Sequence, residues 1–168
     1  FHKFIIIKIL TMLKQKILED KILVIQGLCN KKEFNEALKL SLDLSENYPN
    51  NSYAQNLHGI VLIALNNWKN GKNYFLKAIE ANNTFPEAYN NLGLSEMNLG
   101  DLEKALENFL IAIKLKPNYD NCHNNILKIL TFFRSQKNKD NPYVLANNLI
   151  RKIKFNYDQN NKINNSEI

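Results

Sequence analysis

Three histidines, two cysteines and one interior glutamate are the side chains here with the most obvious chemistry to offer. Their spacing keeps them apart. His2, His58 and His123 are distant from one another, and no Cys-x-x-Cys, His-x-x-x-His or glycine-rich phosphate loop occurs. His58 falls on an apolar helical stripe, so a hydrogen-bonded core imidazole is the plainer reading than a ligand. Glu96 would need a partner to act as a general base, and its neighbours supply none. A side chain reaching solvent is expected there instead. Cys29 and Cys122 are expected to stay unpaired, as thiols do in a reducing cytoplasm. Trp68 is expected to fill a helix interface rather than form a ligand platform. No catalytic, cofactor-binding or metal-binding residue is assigned, and the chain by itself is not expected to be an enzyme.

The elements that would position any binding surface are clearer. From Pro86 to Tyr119 the sequence reads as one helix–turn–helix unit. Proline suits the first turn of a helix, where its missing N–H costs nothing. Ala88, Tyr89, Leu92, Met97 and Leu99 recur at helical spacing, and Gly100-Asp101 then breaks the helix. Glycine can take positive φ at a helix end, and aspartate can cap the next start. A second stripe runs Leu102, Ala105, Leu106, Phe109, Ala112, Ile113 until Pro117-Asn118. Gly93 and Ala105 are small where two helices must approach, and Phe109 is bulky where the hairpin needs filling.

Sliding the chain by a period of about 34 residues repeats this pattern. Gly59 falls under Gly93, Phe75 under Phe109, Ala78 under Ala112, and Ala37 under Gly71 and Ala105. Pro49 falls under Asn83 and Pro117, and His123 to Ile126 fall under Tyr89 to Leu92. No gap is needed from Leu18 to about Leu130. On these residues the chain resembles the tetratricopeptide repeat family, best over Tyr89, Leu92-Gly93, Gly100, Ala105, Phe109, Ala112 and Pro117. Departures are Glu96 for a large aromatic, His58 for Leu, and Ile25, Ser41 and Leu44 for small, aromatic and small residues in the first unit.

The resemblance implies an all-α fold, a right-handed α-solenoid of antiparallel helix hairpins with about three repeats and a degenerate terminal hairpin. The expected divisions are a leading helix or extended start over 1–17, repeats over 18–51, 52–85 and 86–119, a capping hairpin over 120–157, and a disordered tail or linker over 158–168. The leading helix is expected to cover the first repeat's exposed face. Ser52 is expected to cap a helix, Asn66-Asn67 to form an inner turn, and Pro142 to start the last helix after a polar loop from Ser135 to Asn141. The apolar run Phe4 to Leu13 is too short for a membrane span. Lys8 and the lack of a small-residue cleavage site argue against a signal peptide, and Met12 is a candidate start.

For function, the resemblance implies a scaffold that holds a protein or peptide segment on the concave face lined by the first helix of each hairpin. The family's groove positions map to Asn56 and Ile60, to Asn90, Asn91, Leu94 and Asn98, and to Asn124, Asn125 and Lys128. Amide side chains both donate and accept, so they suit a peptide backbone. The row is similar to the asparagine ladder of O-GlcNAc transferases at Asn91 and Asn125, while Leu23 and Leu57 stand at the earlier positions. An alternative is therefore the amino-terminal, substrate-presenting region of a larger glycosyltransferase or sulfotransferase. Adaptors that clamp a chaperone's terminal carboxylate use cations where this chain has Ile22, Gln26, Glu87, Asn91, Asn121 and Asn125, so that ligand is not expected.

The net charge is +6, yet residues 52–119 balance, so the excess lies at the ends. Lys128, Arg134, Lys137, Lys139, Arg151, Lys152 and Lys154 form a basic carboxyl-terminal stretch. Solvated ends are favoured over nucleic-acid binding, which would show steep salt dependence.

Overall fold

Three residues in the left-handed region cut the chain into helices. They are Lys32 (φ 63°), Asn66 (φ 60°) and Gly100 (φ 88°), at the same 34-residue spacing as the sequence repeat. Each closes a helix in the same way. The next N–H reaches back five residues, from Glu33 to Leu28 O, Asn67 to Leu62 O and Asp101 to Glu96 O, all at 2.9 Å. Glycine takes this conformation without cost, and asparagine takes it more readily than most. Lysine has neither advantage. Lys32→Gly is therefore expected to stabilise the fold by about 1 kcal/mol, read as a rise in the urea midpoint.

The computed structural model describes residues 2–135 and 151. The helix expected from Pro142, the loop residues 136–141 before it and the tail 158–168 lie outside the described residues. Among the described residues there are seven α-helices and no strand: α1 (His2–Asn30), α2 (Phe34–Asn47), α3 (Ser52–Ala64), α4 (Trp68–Ala81), α5 (Pro86–Asn98), α6 (Leu102–Leu115) and α7 (Asp120–Ser135). Side-chain caps start three of them. Asn51 Oδ1 accepts from Ala54 N, Asn67 Oδ1 from Asn70 N and Asp101 Oδ1 from Lys104 N. Asn51, not Ser52, is thus the cap of α3, and Ser52 is its first helical residue.

The chain forms two compact units, one ending at Ala88 and one beginning at Tyr89. In the first, α1 packs on α2 and α3, α2 on α3, and α3 on α4. Ile25, Ala37, Leu44, Ala54, Leu57 and Val61 form its buried cluster. In the second, Ala105, Leu106, Phe109 and Ala112 of α6 pack with Cys122 and Ile129 of α7, and Tyr89, Leu94 and Met97 join from α5.

Close approach within the hairpins follows from size. A Cβ on Gly59 would lie 2.5 Å from the Phe75 ring, and one on Gly93 would lie 2.7 Å from the Phe109 ring. The phenylalanines fill the space that the glycines leave. The first repeat has the sizes reversed, with Ile25 in the glycine place and Ser41 in the phenylalanine place, both fully buried. Ser41 leaves room for a polar contact, and its Oγ lies 2.8 Å from His58 Nδ1.

His58 is the core imidazole expected from its position, only 3% exposed, with Tyr74 edge-on at 4.4 Å between ring centroids. Burial first, then repulsion from Lys77, pushes its pKa down to about 4. The sign follows. A depressed histidine means that the unfolded chain takes up the proton first, near pH 6.5, so stability falls as pH drops from there towards 4. Between pH 7 and 5 the wild type is expected to lose about 1–2 kcal/mol more than His58→Leu, measured by urea unfolding at each pH. Equal losses would remove His58 from this role.

Residues 2–17 do not fold back over the first repeat. They continue α1 without a break, and their side chains are exposed.

Candidate functional site

In the second unit, α5 and α7 bring a row of amides together. Asn125 Nδ2 donates to Asn90 Oδ1 at 3.2 Å, linking the two helices. Asn90 Nδ2 in turn donates to Asn91 Oδ1 at 3.4 Å, and Lys128 Nζ donates to Asn125 Oδ1 at 3.4 Å. The row therefore runs Asn91, Asn90, Asn125, Lys128. Its inner members are buried, Asn90 at 4% and Asn125 at 6% exposed. Burying an amide costs free energy unless its donors and acceptors are used, and here one bond joins the two while Asn91 and Lys128 take the other ends.

The remaining residues of the expected face sit further out. Asn91 and Leu94 are half-buried, while Asn98, Asn124 and Lys128 are exposed. Asn98 Nδ2 donates back to Leu94 O at 2.9 Å, which holds its side chain along the helix. Asn124, Leu127, Lys128, Thr131 and Phe132 line an open groove on α7 of about 690 Å³. Lys128 also borders a second hollow of about 460 Å³, with Met97, Gly100, Leu102, Ile129 and Phe132. This side of α5 and α7 thus offers amide donors and acceptors, one ammonium and apolar walls.

In the first unit, α3 carries the other two expected residues. Asn56 is 4% exposed and Ile60 half-buried.

Glu96 corrects one expectation. It does not reach solvent but is 3% exposed, and its Oε2 accepts from Asn108 Nδ2 at 2.7 Å across the α5–α6 hairpin. Asn108 Nδ2 also donates to Lys104 O at 3.0 Å. A buried polar bridge thus replaces the large aromatic that the family favours at that position. Cys122 is likewise a core residue. Its Sγ donates to Phe109 O at 3.1 Å, and burial pushes the thiol up to about 11, far from a nucleophile's range. Both cysteines are free. Among the described residues, no three His, Cys, Asp or Glu are placed to hold a metal ion.

One contact that the sequence did not announce is Lys21 Nζ to Asp43 Oδ2 at 2.7 Å, joining α1 and α2. The hydrogen bond and charge of Lys21 hold the Asp43 carboxyl below its usual range.

Residues 86–119 match the family described as tetratricopeptide repeat. Solved structures of similar fold include the first TPR domain of Spaghetti (RPAP3) bound to the HSP90 peptide SRMEEVD. It is 19% identical, with a TM-score of 0.63 over 68% of this chain and 94% of that one. The TPR domain of Sgt2 from Aspergillus fumigatus is 14% identical, with a TM-score of 0.67 over 73% and 83%. The Yersinia enterocolitica type III secretion chaperone SycD, in complex with a peptide of the translocator YopD, is 14% identical, with a TM-score of 0.65 over 73% and 96%. No curated protein matches the chain in sequence. One unit of the chain, residues 86–119, thus matches the tetratricopeptide repeat, and the fold is the one seen in solved domains of that kind.

Proposed function

We propose that this chain is a non-enzymatic interaction module and that α5 and α7 hold an extended segment of a partner protein. The observation that carries the proposal is the linked row of Asn91, Asn90, Asn125 and Lys128. Asn90 and Asn125 position the row. Asn91, Leu94, Asn98, Asn124 and Lys128 contact the segment. Solved domains of the same fold that are held with peptides support the same reading.

The test uses peptides selected from a random library on the immobilised protein. Asn91→Ala with Asn124→Ala is expected to weaken the selected peptides at least about tenfold, with helicity unchanged. Unchanged affinity would put the site elsewhere.

Lys128 is the one cation among the proposed contact residues, and the places where a carboxylate clamp sets its cations hold none. Glu87 adds a negative charge where such a clamp has a positive one. A peptide ending in the sequence MEEVD is therefore expected to give no measurable heat on titration. Affinity that disappears on amidating its carboxyl terminus would contradict this.

A further inference from the structure

Among the described residues, the start of α1 has no neighbour to explain it. From His2 to Ile17 every side chain is exposed, including Phe4 at 72%, Ile6 at 56% and Leu13 at 52%. Isolated exposed apolar side chains are ordinary, but a contiguous helical run of them marks a surface meant to be covered. At 100° per residue, Ile5, Ile6, Ile9, Leu10, Leu13 and Ile17 fall within an arc of about 140°. Lys3, Lys8 and Lys14 fall on the other side, with Thr11 and Gln15. Phe4 and Ile7 lie among them, and His2 and Lys16 stand inside the apolar arc, where the long lysine stem can carry the ammonium outward.

Charge selects the occupant. The segment holds four lysines and no acid, the first carboxylate being Glu19. Two copies of the same helix laid together would set lysine against lysine. An anionic surface meets both features at once, taking the apolar side into its interfacial layer and the lysines at its headgroups. A span is not the answer, because among the described residues no helix is long and apolar enough to cross a membrane. We infer that residues 2–17 of α1 lie flat on an anionic lipid bilayer, tethering the repeat domain to a membrane surface.

The test is co-sedimentation of the full chain with vesicles of equal parts phosphatidylcholine and phosphatidylglycerol, and with phosphatidylcholine alone. Binding to the anionic vesicles is expected, weakening with added salt. Lys8→Glu with Lys14→Glu is expected to lower the partition at least about tenfold, and Ile9→Asp with Leu13→Asp to lower it comparably. All four positions are exposed, so the thermal midpoint should not move. Absence of vesicle binding, equal binding to both vesicle types, or wild-type partition of either variant would each overturn the inference. A lipid-free dimer abolished by Leu13→Asp, with no vesicle binding, would overturn it in favour of a second copy as the cover.

Discussion

Gly93→Leu is expected to destabilise the protein by more than about 2 kcal/mol, at the upper end of what overpacking costs. The new Cβ would lie 2.7 Å from Phe109 Cε1 and 3.0 Å from Ala105 O. The ring is a side chain and could turn, but the Ala105 carbonyl belongs to the α6 backbone and cannot move without moving the helix. Leucine would then add three more carbons in the same direction. Gly27 provides the control. A Cβ there meets nothing within 4 Å, so Gly27→Leu should cost nothing and gain a few tenths of a kcal/mol in helix propensity. Urea unfolding of the two variants reads the difference. Equal stabilities would mean that α5 and α6 do not meet at Gly93.

Phe109→Ala approaches the same contact from the other side and is expected to cost about 3–5 kcal/mol. Phe109 is fully buried, in the cluster with Ala105, Leu106, Ala112, Cys122 and Ile129. Its neighbours are mostly small or helix-bound, so they cannot collapse into the space left behind. Cys122 and Ile129 of that cluster belong to α7, so the disturbance reaches that helix. That helix carries Asn124, Asn125 and Lys128 of the proposed docking face. Loss of peptide binding together with stability is therefore expected from Phe109→Ala, whereas Asn124→Ala should reduce binding alone.

The hairpin architecture was legible because the repeat writes it several times over. Gly59 with Phe75 and Gly93 with Phe109 share one spacing, and each pair touches as their sizes require. Turns at Asn66 and Gly100 follow from residues that tolerate positive φ. The turn at Lys32 was not legible, since lysine has no such preference and the position is set by its neighbours' hydrogen bonds. Glu96 misled for a related reason. Its partner Asn108 lies on the facing helix and belongs to no motif, so nothing in the local sequence shows the acid to be satisfied. The amide row was visible as a helix face but not in depth. Family positions indicate which way Asn90 and Asn125 point. They do not indicate that the two bond to each other across α5 and α7.

The account turns on whether the amide-lined side of α5 and α7 is where a partner's backbone comes to rest. Backbone amide resonances of the labelled protein, followed while a selected peptide is added, test this most directly. The largest shifts are predicted at Asn91, Leu94, Asn98, Asn124 and Lys128, with α2 and α4 nearly still. Shifts confined to α1, α2 or α4, with α5 and α7 unmoved by a bound peptide, would contradict it.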